Sequence, residues 1–407
     1  MAVGLKPPGD LLTVEGISLS TCSAGIYVNK KRNDMALLQL QEGTTVAAVF
    51  TRNQFCAAPV IIARQHLAET SPRYLLINAG NANAGTGEQG INDARTLCAR
   101  LAALCKCNSN EILPFSTGVI GEYLPVEKMS AALDSMVKGL SANNWLSTAE
   151  TIMTTDTIAK ASSLRCDVGG KTVTFTGITK GSGMIKPNMA TMLAYVATDA
   201  SIEQTVLQQA LNSAVNQSFN RITVDGDTST NDACVLMATG AAGNNTISSS
   251  NSEEYRTFVT ALTNLCTELA QSIVRDGEGA TKFVTITVRN GASQQDCLAI
   301  AYQIAHSPLV KTALTACDAN WGRILAAVGN ANAGNIDINA LTLWLDDVCI
   351  VENGQRAAGY TEAQGQAVMA RAEITIIVDL QVGNVEETVW TTDLSHEYIT
   401  INAEYRT

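Results

Sequence analysis

Apolar residues recur every three or four positions in four stretches of the chain, the spacing that gives a helix one buried stripe. Residues 91 to 106 place Ala94, Leu97, Leu101 and Leu104 on such a stripe, and residues 125 to 140 do so with Val126, Met129, Leu133 and Leu140. Two longer candidates cover 201 to 219 and 252 to 275, the second carrying Tyr255, Phe258, Leu262, Leu265, Leu269 and Ile273. Shorter apolar runs between them read as strands: "TVAAVF", "YLLINAG", "TVTFTGI", "TMLAYVA", "ACVLMA", "FVTITV", "LTLWLDDVCIV" and "EITIIVDL". Asn353 and Gly354 in "ENGQ" suit a tight hairpin turn, and the chain closes on "YITINAEYRT". Strands alternating with helices, without a low-complexity linker, predict an α/β fold of mixed sheets. "GNANAG" occurs twice, at 80 to 85 and at 329 to 334, each time after an apolar run, and marks a candidate pair of equivalent strand-to-loop corners.

Length and charge narrow the picture. A chain of 407 residues exceeds one average domain, so two closely packed halves are expected. The net charge of -11 and a pI near 4.8 argue against nucleic acid and anionic membranes, which attract basic patches; small molecules are the expected partners. The opening "MAVGLKPPGDLLTV" lacks the pattern of a leader, and no apolar run approaches the ~20 residues of a membrane helix, so a cytoplasmic protein is expected. Eleven cysteines, single except for Cys105 and Cys107, show no disulfide or zinc spacing. His66, His306 and His396 belong to no metal motif, so no metal is expected and a histidine-based triad is disfavoured. The phosphate-binding G-x-x-x-x-G-K-[ST] and the G-x-S-x-G elbow are absent from the sequence.

Four segments carry candidate chemistry. "VDGDTSTND" (224 to 232) gathers Asp225, Asp227 and Asp232, but a calcium loop counted from Asp225 needs glycine and glutamate where Thr230 and Leu236 stand. It reads instead as a buried turn knitted by side chain to backbone hydrogen bonds. "RDGEGATK" (275 to 282) isolates Glu278 between two glycines, either as a solvated helix end or as a carboxylate offered to a ligand's ammonium. In "FSTGVIGEYLP" (115 to 125), Thr117 and Gly118 form either an ordinary turn or a hydroxyl and N–H aimed at one oxyanion. Thr191, after "KGSGMIKPNMA", is either a strand-initiating threonine or a nucleophile. Cleavage before it would put a hydroxyl and an α-amine base on one residue, with no histidine required.

The run "KGSGMIKPNMATMLAYVATDA" (180 to 200) closely resembles the self-processing segment of the ornithine acetyltransferase family, also called glutamate N-acetyltransferases. The resemblance continues in order through "STGVIGEYLP", "TIMTTDT", "FNRITVDGDTSTND", "SPLVKTALTACDANWGRI" and "YITINAEYRT", covering essentially the whole chain. One departure is Cys317, where the family more often carries glycine or alanine, a change expected to touch packing more than chemistry.

The resemblance implies cleavage between Ala190 and Thr191 into an α chain, 1 to 190, and a β chain, 191 to 407. It implies a layered α/β fold related to self-processing aminopeptidases of the DmpA type, and an assembly of two α and two β chains. Thr191 would carry acetyl from N-acetylornithine to glutamate without a cofactor, and Thr117 and Gly118 would bind the oxyanion. Thr154, Lys180, Thr191, Glu278, Asn402 and Thr407 match substrate-contacting positions. Lys180 suits an α-carboxylate and Glu278 the ornithine side-chain ammonium. Three alternatives stay open at this stage: acetyl-CoA as a second acetyl donor, a related acyl-amino-acid hydrolase, and an unprocessed amino-acid-binding protein.

Overall fold

The computed structural model describes residues 2–27, 31–186, 192–334 and 336–403, and the chain folds into two compact units. The larger unit is Pro7–Asn220 with Asp227–Ile273. It holds a four-stranded sheet of β1 (Ile17–Cys22), β2 (Met35–Leu40), β4 (Tyr74–Asn81) and β5 (Ile112–Val119), in that order. Its five-stranded sheet runs β3 (Thr45–Phe50), β9 (Ala233–Ala238), β8 (Leu193–Thr198), β7 (Lys171–Lys180), β6 (Lys160–Val168). The pairs β4–β5 and β8–β9 are parallel; the others are antiparallel.

The two sheets pack face to face because each supplies a full row of apolar side chains at period two. Leu38, Ile77 and Phe115 from one meet Ile178, Tyr195 and Val235 from the other in one core, and the Phe115 and Tyr195 rings touch edge to face at 5.4 Å. All six residues of β8 are buried, since this strand is covered on both faces. On the outer side of the four-stranded sheet lie α2 (Gly87–Cys105) and α3 (Val126–Lys138), with Leu97, Leu101, Met129 and Leu133 against Leu37 and Leu76. On the outer side of the five-stranded sheet, Gly177 leaves room for Leu265 and Leu269 of α6 (Glu253–Arg275). The helices α1 (Ala58–Glu69) and α5 (Gln204–Gln217) complete the unit, while α4 (Trp145–Thr151) packs Trp145 and Ala149 into the core between the sheets.

The smaller unit is Met1–Lys6, Arg221–Gly226 and Val274–Thr407. Its six-stranded sheet contains β10 (Phe283–Gly291), β11 (Thr342–Leu345), β12 (Val348–Glu352), β13 (Gln355–Arg356), β14 (Glu373–Asp379) and β15 (Val385–Thr392), with β10 held between β14 and β15. Helices α7 (Gln294–His306), α8 (Pro308–Thr315), α9 (Trp321–Gly329) and α10 (Glu362–Met369) share a core with it, and α11 (His396–Ala403) follows β15.

The four helices read from apolar spacing all form within a few residues of their expected bounds. "LTLWLDDVCIV" is not one strand: it turns at Asp346, φ +50°, into the β11–β12 hairpin, because a run apolar on both sides of a DD pair satisfies two short strands equally well. Asn353 and Gly354 make the expected turn between β12 and β13, both at positive φ. The second "GNANAG" follows helix α9 rather than a strand, so the two copies are not equivalent corners. The expected division at residue 190 does not coincide with the two compact units. Strand β7 before it and β8 after it are neighbours in one sheet, Lys180 opposite Leu193. Among the described residues no helix is long and apolar enough to cross a membrane.

Cys317 sits at φ +52°, a left-handed conformation that costs an L-residue roughly 1–2 kcal/mol and glycine almost nothing. The departure at this position therefore acts through the backbone rather than through packing. Replacing Cys317 by Gly is expected to stabilise the protein by about 1 kcal/mol in a denaturant titration, the relief exceeding the extra chain entropy of glycine. A loss of stability would count against this account.

Candidate active site

Parallel pairing brings the C-terminal ends of β4 and β5 together, with Gly80 opposite Gly118. Gly118 stands at φ +132°, and any side chain there would overlap the backbone of Gly80 and Asn81. That is why a glycine follows Thr117. Ser116, just before, is fixed twice: its hydroxyl donates to Asn78 Oδ1 (2.6 Å), and its carbonyl accepts from Asn231 Nδ2 (3.0 Å). The same Asn231 amide donates to the carbonyl of Ala82 (2.6 Å), tying the loop after β4 to the end of β5.

Ile178 of β7 points into the core between the sheets, so period two sends Lys180 to the same side. There Lys180 Nζ donates to Thr154 Oγ1 (2.9 Å) and to Thr117 Oγ1 (3.3 Å), bringing three of the sequence-derived residues into one cluster. Beneath them lies Asp156. Its Oδ2 accepts from the N–H of Thr154 (3.0 Å), and its Oδ1 from the N–H of Gly181 (2.7 Å) and from Lys160 Nζ (2.6 Å). Burial alone would raise this carboxyl's pKa. The ammonium groups of Lys160 and Lys180, with the hydrogen bonds, hold it well below the usual carboxylate range.

Asp232 titrates in the opposite direction. Burial pushes its carboxyl well above the ordinary value, offset only in part by hydrogen bonds with Ser229 and the charge of Lys180. Its Oδ2 is buried without a hydrogen-bond partner among the described residues. One ammonium is thus flanked by two buried carboxyls that the surroundings drive toward different protonation states.

In the smaller unit Glu278 is buried in the turn after α6, not solvated, and its Oε2 accepts from Asn402 Nδ2 of α11 (2.8 Å). Two further bonds fix α11: Ser395 Oγ to the carbonyl of Gly279 (2.6 Å) and Tyr398 OH to Asp225 Oδ2 (3.2 Å). Ala190, Thr191 and Thr407 lie outside the described residues. No cluster of three or more His, Cys, Asp or Glu suited to a metal occurs among the described residues. His66 Nδ1 pairs with the carbonyl of Ile112 and His306 Nε2 with Thr223 Oγ1, both structural contacts.

Sequence reasoning missed Asp156, Lys160, Asn231 and the isolation of Asp232. For the first pair a signal existed, an aspartate and a lysine four apart in "DTIAK"; for the others it did not, because only tertiary packing puts them beside Ser116 and Lys180.

Two sheets packed face to face between helix layers, with hydroxyls and an ammonium gathered at strand ends, define an α/β enzyme equipped for an acyl- or carboxylate-bearing substrate. The ArgJ family model matches residues 18–407. The arginine biosynthesis bifunctional proteins ArgJ of Pseudomonas fluorescens and Psychrobacter arcticus are 54% and 52% identical over 407 residues, covering 100% of this chain and of each relative. A crystal structure of arginine biosynthesis bifunctional protein ArgJ from Bacillus halodurans, 40% identical with a TM-score of 0.51, covers 53% of this chain and 100% of its own. The chain belongs to the ArgJ family, and it is an acyltransferase of arginine biosynthesis, a glutamate N-acetyltransferase.

A carboxyl with a raised folded pKa keeps a proton that the unfolded chain gives up, so it lowers stability as pH rises from the unfolded value of about 4 toward the folded one. Asp232→Asn removes that penalty. Its expected signature is a higher Tm than wild type near neutral pH and a flatter dependence of Tm on pH above 4. A parallel pair of Tm curves would contradict the assignment.

Proposed function

We propose that the chain moves acetyl from N-acetylornithine to glutamate by a ping-pong route through an acetyl ester on Thr191. Thr191 first cleaves its own chain. Its Oγ1 bonds to the carbonyl carbon of Ala190, the C–N bond breaks, and water hydrolyses the resulting ester to an Ala190 carboxylate. The freed α-amine, a group whose ordinary pKa is about 7.7–8.0, then takes the hydroxyl proton as the oxygen attacks the acetyl group. Ornithine leaves, and the amine of glutamate releases the enzyme. The Thr117 hydroxyl and Gly118 N–H stabilise the oxyanion in each step. Lys180 receives the α-carboxylate and Glu278 the ornithine side-chain ammonium; Thr154, Asn402 and Thr407 supply neutral hydrogen bonds.

The observation that carries this reading is the Lys180 ammonium held at the hydroxyls of Thr117 and Thr154, since it puts a carboxylate ligand beside the proposed oxyanion donor. After cleavage β7 and β8 remain paired, which keeps the two chains together. An assembly of two α and two β chains and a cytoplasmic location complete the proposal, and acetyl-CoA as a second acetyl donor is the alternative to it.

On a denaturing gel the protein should run as two chains of about 20 and 23 kDa, from 190/407 and 217/407 of 43.0 kDa, if the nucleophile acquires a free amine. Incubation with N-acetylornithine should add one acetyl group to the larger chain at Thr191 by mass spectrometry. Thr191→Ala should stay intact and inactive. An active uncleaved wild type would rule out the scheme.

The tail is expected to serve substrate rather than cleavage. Asn402→Ala combined with deletion of Thr407 should still give two chains, with KM raised about 5- to 30-fold, as expected from the loss of one or two hydrogen bonds of ~1 kcal/mol each. Unchanged kinetics would make the tail purely structural.

A further inference from the structure

We propose that Asp156 is a positioning residue for acyl transfer: acting through Lys180, it sets the Thr117 hydroxyl so that its proton is turned toward the oxygen of the acyl group. The inference rests on the reading of Thr117 as an oxyanion donor and goes beyond it by naming what makes that hydroxyl a donor.

An ammonium group has no lone pair and can only donate. In the contact between Lys180 Nζ and Thr117 Oγ1 (3.3 Å) the threonine oxygen must therefore accept, so its own proton points elsewhere. Thr117 is 8% exposed, and among the described residues no acceptor takes that proton. The backbone around it is fixed by the contacts of Ser116 and by the close approach of Gly118 to β4. What remains to be fixed is the hydroxyl's rotation, and the ammonium fixes it.

Lys180 is itself held at two places, and both lead to one carboxylate. Its Nζ is held by Thr154 Oγ1, and Thr154 is held through its N–H by Asp156 Oδ2. Its backbone continues into Gly181, whose N–H is held by Asp156 Oδ1. The side chains of Asp156 and Lys160 are 0% exposed, so Asp156 meets neither water nor substrate and acts only through the residues it holds. Oriented donors in a dry setting are worth more than the same groups in water, because they need not reorganise as charge develops.

The test is a double-mutant cycle on acetyl-enzyme formation, with single-turnover rates taken per cleaved chain as counted by mass spectrometry. Asp156→Asn keeps the shape but removes the charge and one of the two acceptor oxygens. It should slow the step about 10- to 100-fold, less than the 10²–10³ typical of deleting an oxyanion donor outright. In a Thr117→Ala background the same substitution should change the rate by less than about threefold, since residues acting through one another are not additive. Should Asp156→Asn leave Lys160 charged, unpaired and the protein unfolded, Asp156→Asn with Lys160→Met removes that stranded ammonium and is put through the same cycle. Losses that multiply across the cycle would overturn the proposal, as would a lowered Tm with the rate per cleaved chain unchanged. A Thr117→Ala protein that forms acetyl-enzyme at the wild-type rate would instead sink the oxyanion reading on which it rests.

Discussion

A carboxylate with no access to water is tolerable only if charge and hydrogen bonds surround it, and that constraint organises the ends of β6 and β7. Taking Asp156 and Lys160 out of water costs several kcal/mol per ion before their attraction returns any of it, so an apolar pair of similar size would serve stability at least as well. The pair is better understood as a device for placement. Its acceptor oxygens determine where the chain turns at Thr154 and where it leaves β7 at Gly181. Everything drawn to Lys180 inherits that placement.

The sandwich around it explains why so small a cluster can be so well fixed. Parallel β4 and β5 end level with one another, and β7 ends beside the start of β8, which is level with the start of β9, so hydroxyl and ammonium come from strands rather than from long loops. Strands whose inner faces are locked in a shared core, such as β5 through Phe115 and β8 through Tyr195, allow little slack at their tips. Asn231 adds a cross-tie between the tips of β4 and β5. The chemistry needs no histidine if the nucleophile brings its own amine, and the histidines seen in structural contacts, His66 and His306, are consistent with that economy.

Glu278 and Asn402 belong to the smaller unit. Glu278 sits in a turn opened by glycines, Gly279 at φ +69°, and a C-terminal helix is laid against it by Ser395, Tyr398 and Asn402. The sequence reading of Glu278 as a solvated helix end gives way because α11 covers it.

Local patterning decided much of this protein. Stripes at helical spacing foretold α2, α3, α5 and α6, alternation and apolar runs foretold most strands, and the motif order along the chain identified the family, because these signals are written in neighbouring residues. Thr117, Gly118 and Glu278 stood out through their turn sequences, and Thr154, Lys180 and Asn402 through the family resemblance. Tertiary structure alone decided which of them meet, that Lys180 joins Thr117 and Thr154 while Glu278 joins Asn402, across separations of 26 to 124 residues. It also decided that Asp156 is driven toward its ionised form and Asp232 toward its neutral form, although both are aspartates in polar turns. The difference lies in whether a lysine touches the carboxylate, and a contact of that kind is a property of packed strands, not of spacing along the chain.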